Sequence, residues 1–302
     1  YNTINKEVQN GTVYLYNGKV KRYKPDIAEQ KYKDKRANSK RNYRCLECVE
    51  FLNYVVEMFN KKGWSLDASV GYAQKNNLFS TDEMVCTKTL YNYVDLGILP
   101  IKNIDLPEKL KRNTKSSSTR KNRKILGKSI EERTETVNLR EEFGHWEIDS
   151  VLGKKKDTEP AIMTIVERKT RMSLWIKIKD HSSMAIDEAL QSLINRFGTK
   201  KSEVFKSITG DNGSEFANLS NIENNGISVY FTHPYTSCEK GTNECHNKML
   251  RRFIPKGKSI DDYSAEDILF FSDTINGLPR KILNYHTPEE LFDNQLDRIY
   301  AT

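Results

Sequence analysis

No apolar run in this 302-residue chain approaches the ~20 residues that a helix needs to span a bilayer, and no leader of basic then apolar residues opens it. A cytoplasmic protein with no membrane partner is therefore expected. Cysteine is scarce: five residues, an odd number scattered over a long chain, build no disulfide framework. Cys45-x-x-Cys48 has the form of half a zinc knuckle, but no second CxxC or paired histidine follows at finger spacing, so both thiols are expected to be buried on a helix. The histidines (145, 181, 233, 246 and 286) show no HExxH spacing, which argues against zinc hydrolysis, and no nucleophile-elbow motif supports a Ser-His-Asp mechanism.

What the chain does have is length for two domains, at about 100 to 200 residues each, and an excess of positive charge. Lysine plus arginine number 49 against 41 acidic residues, a net +8 that suits a polyanion such as nucleic acid. The excess is uneven. Residues 109–128 are crowded with lysine and arginine and contain no acidic residue, so they read as a mobile basic linker that either contacts phosphate or only spaces its neighbours.

Along the chain, TINKEV reads as a short helix ended by Asn10-Gly11. After a basic stretch at 31–44, Leu46, Val49, Leu52, Val55, Val56 and Phe59 recur at three- and four-residue intervals, one face of an amphipathic helix over 45–62. Ser65 can cap a helix to about Asn77, and a second helix runs from Cys86 or Thr87 to Leu96 before Gly97. That pair fits a helix-turn-helix or, equally, a small structural bundle. In the former, Lys88, Tyr91 and Asn92 face DNA while Leu90, Tyr93 or Val94 pack inward.

From Phe143 the period changes. HWEIDSVLG, AIMTIVER and MSLWIKIK are three strands joined by short turns, an antiparallel meander. A helix over 183–197, strands at 206–209 and 228–231, and a helix over about 241–253 follow, which gives a mixed five-stranded sheet flanked by helices. Thr287-Pro288-Glu289-Glu290 is a capping box that starts a last helix.

Three carboxylates stand out against this frame. Asp149 lies inside the first strand of the meander, two residues after Glu147 on the same face, where charge is expensive unless it meets a solvated cleft or a partner. Asp211 ends a strand in ITGDNGSEF, and Glu244 lies 33 positions further on, in the first turns of a helix. Singly, each has an ordinary surface, turn or helix-terminus explanation. Together they form an oxygen-only set of the kind Mg²⁺ and Mn²⁺ prefer, able to hold two ions ~4 Å apart, with Asp149 bridging and Asp211 and Glu244 completing one side each.

These residues resemble the DDE transposases of the insertion-sequence-30 family, bacterial mobile-element proteins with a ribonuclease-H-like, integrase-like catalytic core. The resemblance rests on FGHWEIDSVLG, TIVERKTR, ITGDNGSEFA, YFTHPYTSCEKGTNECHNKMLRRFIPKG and the late LPRKILNYHTPEELF, in that order. It implies that Asp149, Asp211 and Glu244 are the catalytic, metal-binding residues. It also implies that Arg168 contacts DNA or pairs within the core, and that Asn247 and Arg251 orient Glu244, touch phosphate, or only cap and solvate their helix. Pro234, Tyr235, Gly241, Thr242 and Asn243 would shape the approach to Glu244.

In the N-terminal half, NTINKEV resembles the recognition helix of the family's first helix-turn-helix, and WSLDASV through CTKTLYNYV resembles its second. Cys86 replaces a capping serine and Lys88 an acidic residue. The first motif lacks its leading helices, so the chain is expected to be N-terminally truncated. The organisation that follows is 1–44, the rest of the first motif and a basic linker; 45–100, the second motif; 101–138, a flexible basic linker; and 139–302, the catalytic domain.

The implied activity is metal-dependent cleavage at transposon ends and transfer of the 3′-hydroxyl into target DNA. Its partners would be double-stranded DNA, as terminal inverted repeats and target, and further copies of the chain in a homo-oligomer; no small-molecule substrate is expected. Two Mg²⁺ or Mn²⁺ ions would serve each site. Arg112, Lys115, Arg120 and Lys121 of the linker would add phosphate contacts, and the protein would associate with the nucleoid. The alternative is a catalytically inactive, truncated transposase-derived DNA-binding regulator. An RNA-strand nuclease of the ribonuclease H type shares the carboxylate chemistry but needs no helix-turn-helix arm.

Overall fold

The computed structural model describes residues 2–39, 43–107, 109, 126–154, 159–233 and 237–301. The chain forms two compact units, 1–49 and 50–302.

The first unit opens with helix α1 (Asn2–Gly11) and a hairpin of strands β1 (Thr12–Leu15) and β2 (Val20–Tyr23), and closes with helix α2 (Pro25–Asn38). Gly11 is the last residue of α1, and a side chain there would meet the Tyr23 ring and Ala28. The hairpin, which the alternation pattern did not reveal, turns through Tyr16, Asn17 and Gly18, all at positive φ. Pro25 sits in the first turn of α2, where its missing N–H costs nothing.

Helix α3 (Val49–Lys62) starts on the last residue of the first unit and opens the second, followed by α4 (Leu66–Lys75) and α5 (Thr87–Asp95). The start of α3 corrects the sequence reading. Residues 44–47 form a turn, Leu46 is 86% exposed, and the buried face of the helix is Phe51, Leu52 and Val55. Cys45 and Cys48 therefore lie before the helix, half-buried and buried respectively, and not on it. The Ser65 hydroxyl caps α4 by accepting from the Ala68 amide at 3.1 Å. Cys86 occupies the cap position of α5 without capping it.

Five strands then build one sheet: β3 (His145–Leu152), β4 (Ala161–Glu167), β5 (Ser173–Ile178), β6 (Ser207–Gly210) and β7 (Ser228–Phe231). Their spatial order is β5-β4-β3-β6-β7, antiparallel among the first three and parallel from β3 through β6 to β7. Short helix α6 (Glu135–Leu139) precedes the sheet; α7 (Ser183–Asn195) and α8 (Lys201–Val204) supply the crossover from β5 to β6. Helices α9 (Gly241–Phe253), α10 (Ala265–Asn276) and α11 (Pro288–Tyr300) follow β7. This is the mixed five-stranded sheet flanked by helices that the strand pattern predicts, and its α/β architecture agrees with the ribonuclease-H-like core that the family resemblance implies.

Helices cover both faces, so the interior strand β4, next to the central β3, is buried along its whole length. Even-numbered residues of β3 point to one side: Trp146 and Ile148 pack with Met163, Ile165, α7, Phe205 and Phe292. Trp146 stacks on Phe205 at 4.8 Å between ring centroids and donates its indole N–H to the Val204 carbonyl at 2.8 Å. Odd-numbered residues point to the other side, where Val151 joins Ile162, Trp175, Leu250 of α9, and Ile268 and Ile275 of α10. Glu147 and Asp149 share that second face.

Helix α10 was not read from the sequence. It closes the exposed edge at β5: the Asn276 amide accepts from Ser173 N at 3.0 Å and donates to Ser173 O at 2.8 Å. One side chain thus satisfies backbone groups that an edge strand would leave open to pairing. Helix α4 meets the segment before α11, where Tyr285 fills the space beside Gly71 and its hydroxyl donates to Asp67 at 3.3 Å. Asp67 also accepts from Thr87 at the start of α5, at 3.1 Å.

Candidate active site

Asp149 sits on the central strand, opposite Thr164 of β4. Asp211 follows the last residue of β6, the parallel neighbour of β3, and its Oδ1 accepts from the Gly213 amide at 2.9 Å, which fixes the turn. The strand order therefore brings the two carboxylates side by side. Between them lies the Lys240 ammonium, 3.2 Å from Asp149 Oδ1 and 3.0 Å from Asp211 Oδ2, with a third bond of 3.2 Å to the Ile148 carbonyl. Lys240 is 7% exposed and lies over the Phe216 ring at 5.7 Å. Burial disfavours the charge on this amine, but Asp149 and Asp211 outweigh it and hold its pKa above the usual lysine value.

Helix α9 faces β3 along one stripe. Lys240, Glu244, Asn247 and Arg251 are spaced four, three and four residues apart, so they stack on one side of a helix of 3.6-residue period. Three of them touch β3. Asn247 donates to Asp149 Oδ2 at 2.6 Å while its carbonyl accepts from Thr164 at 3.2 Å, and Arg251 donates to the Leu152 carbonyl at 2.7 Å. Glu244, in the middle of the stripe, instead turns to Lys248 on its own helix at 2.8 Å, with its side chain 52% exposed. Among the described residues no group of three or more His, Cys, Asp or Glu side chains is gathered as a metal site. Two of the three carboxylates converge on one cation, and the third stands one helical turn away.

A buried scaffold holds the start of α9. Glu147, fully buried, accepts from Arg168 Nη1 at 2.6 Å and from the Asn243 amide at 3.2 Å. Arg171 donates to the Thr242 hydroxyl at 2.9 Å, and Arg280 meets His246 Nε2 at 2.8 Å. Burial first, then Arg280, pushes the His246 pKa down to about 3, so the ring is neutral. With Arg280 donating to Nε2, the His246 proton is on Nδ1 and is donated to the Thr242 carbonyl at 2.8 Å.

A second cluster adjoins Asp149. Ser150 Oγ lies 2.7 Å from His181 Nε2 and 3.2 Å from Glu215 Oε1. Burial opposes the charge of Glu215, but bonds led by His181 overcome it and hold its pKa below the ordinary value; Glu215 in turn raises that of His181.

The structure thus brings Asp149 and Asp211 together and leaves Glu244 adjacent. Arg168, considered above as a DNA contact, is 4% exposed and its charge is committed to Glu147. Asn247 and Arg251 are directed at β3. On α5, Lys88, Tyr91 and Asn92 are exposed while Leu90, Tyr93 and Val94 are buried. Arg112, Lys115, Arg120 and Lys121 lie outside the described residues, as do Pro234 and Tyr235. Lys240, Glu215 and His181 were not singled out in the sequence. For Lys240 a signal was present, since extending the α9 stripe back by one turn from Glu244 reaches it.

A family model of the integrase core domain matches residues 140–237. The chain is 44% identical over 207 residues to the probable transposase for insertion-like sequence element IS1161 of Streptococcus salivarius, covering 68% of this chain and 58% of that protein. It is 32% identical over 170 residues to transposase InsI for insertion sequence element IS30A of Escherichia coli, covering 56% of this chain and 43% of that one. The chain thus spans about half the length of these relatives. Among solved structures, the catalytic core domain of BIV integrase covers 52% of this chain and 98% of its own, at 19% identity and a TM-score of 0.39. Among the described residues no helix is long and apolar enough to cross a membrane.

Proposed function

We propose that the chain is a transposase of the insertion-sequence-30 family, to whose members it is similar, and that it cuts transposon ends and joins the freed 3′-hydroxyl to target DNA at Asp149, Asp211 and Glu244. The observation that carries this reading is the shared cation: carboxylates from β3 and from the turn after β6 grip one positive charge. The oxygen-only donor set fits Mg²⁺ or Mn²⁺, hard ions that take carboxylate ligands. A pair of such ions, when bound, would activate the attacking oxygen and steady the leaving one in an in-line displacement.

This chain's part is positioning. Asn247, itself held by the Thr164 hydroxyl, orients the Asp149 carboxylate, and the Gly213 amide orients that of Asp211. Glu244 would join the pair by leaving Lys248, and it stands on the same side of α9 as Asn247 and Arg251, which touch β3. The exposed face of α5, with Lys88, Tyr91 and Asn92, would bind the terminal inverted repeats, and the linker residues Arg112, Lys115, Arg120 and Lys121 would neutralise phosphates. Paired ends call for a homo-oligomer.

The test is strand transfer on a labelled terminal-repeat duplex in Mg²⁺ or Mn²⁺, with Asp149→Asn, Asp211→Asn and Glu244→Gln beside the wild type. Cleavage and joining by the wild type, lost in all three variants while duplex binding persists, is the expected result. In the same assay Lys88→Ala should weaken duplex binding and reduce its salt slope by about 1. Duplex binding by a wild type that shows no metal-dependent chemistry would refute the enzyme reading and favour a DNA-binding regulator.

A further inference from the structure

Lys240 is held as a bound ion is held. Its ammonium has oxygen partners on three sides, Asp149, Asp211 and the Ile148 carbonyl, and an aromatic face on a fourth. Its side chain is nine-tenths buried, so no bulk water is needed to complete the shell. An ammonium makes such contacts at about 3 Å, whereas a divalent ion would draw the same carboxylate oxygens to about 2.0–2.1 Å. Both cations need the same two oxygens, Asp149 Oδ1 and Asp211 Oδ2, and like charges at contact repel. The two cannot occupy that space together.

We propose that Lys240 is the resident cation of the metal-free site, seated between Asp149 and Asp211, and that a divalent metal must expel it to enter. This rests on the reading above that these aspartates are metal ligands.

The backbone at Lys240 suits such an exchange. It is the residue before α9, it makes no side-chain capping bond, and Gly241 beside it has open space where a side chain would stand. The replacement ligand is on the same stripe. Glu244, one turn further along α9, is paired to Lys248 when Lys240 fills the site. Departure of Lys240 leaves two unneutralised carboxylates next to Glu244, and this concentration of negative charge is satisfied by a divalent cation and not by a single ammonium. The lysine thus protects the aspartates from mutual repulsion before loading and sets a threshold that the metal must exceed.

The 302-residue chain would be labelled with acetic anhydride, with and without Mn²⁺ and without DNA, and the modification at Lys240 read by peptide mass spectrometry against exposed Lys88 as an internal reference. Mn²⁺ binding would be followed in parallel from the free-ion paramagnetic resonance signal, for the wild type and Lys240→Met. The expected result is a Lys240 that is protected without metal and becomes labelled as Mn²⁺ binds, with the ion held about tenfold more tightly by Lys240→Met, a shift of 1.4 kcal/mol. Binding by the variant alone would also support competition. A Lys240 that stays protected while Mn²⁺ is bound, or one labelled as fast as Lys88 without metal, would overturn the proposal. Failure of both wild type and Lys240→Met to bind Mn²⁺ would overturn it together with the assignment of Asp149 and Asp211 as ligands, and only that outcome removes both.

Discussion

Arg168→Met isolates the cost of a buried charge. In the wild type, Arg168 and fully buried Glu147 are joined at 2.6 Å, and the other Glu147 oxygen accepts the Asn243 amide. Methionine keeps much of the arginine stem but removes its charge, and the one remaining bond to Glu147 is a neutral N–H. Breaking a buried pair on one side costs about 3–5 kcal/mol, because the surviving charge is neither solvated nor paired. At about 2–4 °C per kcal/mol for a unit of this size, the melting temperature should fall by about 6–20 °C. Removing both charges in Glu147→Leu/Arg168→Met should recover part of that loss, since no orphaned ion remains. Calorimetry and urea unfolding of the wild type, both single variants and the double variant would close the cycle. A loss below about 1 kcal/mol for Arg168→Met, the range of solvent-exposed pairs, would refute the argument and return Arg168 to the surface as a candidate DNA contact.

Two further outcomes follow from packing and charge. Gly71→Ala directs a methyl group into the Tyr285 ring, so it should destabilise the protein by about 1–3 kcal/mol by overpacking, and Tyr285→Ala should relieve that clash in the double variant; urea unfolding of the three proteins reads both effects. Glu142 is held at about 2 by hydrogen bonds from Lys206 and then His145. A folded-state pKa depressed in this way contributes stability that is present above pH 4.5 and is lost as pH falls toward 2. Its carboxylate is 42% exposed, so solvent screening limits the contribution to about 1 kcal/mol. Glu142→Gln should flatten the dependence of the urea midpoint on pH across that window, and an unchanged slope would count against the pairing.

Much of the catalytic half was legible because its signals are local. Strand alternation located β3, β4, β5 and β7 nearly to the residue, and the Thr287–Glu290 capping box placed α11. Asp149 and Asp211 stood out because a charge in a strand interior and a strand-end Asp-Asn-Gly turn each demand an explanation. What sequence could not supply was the parallel pairing of β3 with β6, a contact between segments some sixty residues apart, and it is this pairing that sets the two aspartates side by side. Lys240 escaped notice for the same reason: a lysine before a helix reads as solvated until its helix is docked on the sheet. The start of α3 failed differently. Apolar periodicity continued through Leu46, but the chain turns at 44–47 and the helix begins only at Val49, so the face that packs is shifted onto Phe51.

The two acids on the second face of β3 show how one strand carries charge in two ways. Glu147 is neutralised by Arg168 and the Asn243 amide, both in the interior, and neither can leave without an orphaned ion remaining behind. Asp149, one step further along the same face, lies past the last pair of β3 with β6, where its partners are Asn247 of α9 and Lys240 at the helix terminus. The first arrangement fixes the start of α9 against the sheet. The second leaves a charge whose counter-ion can be exchanged at small structural cost, because exchange moves a lysine stem and a glutamate rotamer while the Glu147 pair keeps the helix in place. Metal loading as proposed needs both: without the fixed pair, expelling Lys240 would loosen α9 and carry Glu244 away from the aspartates it would have to join.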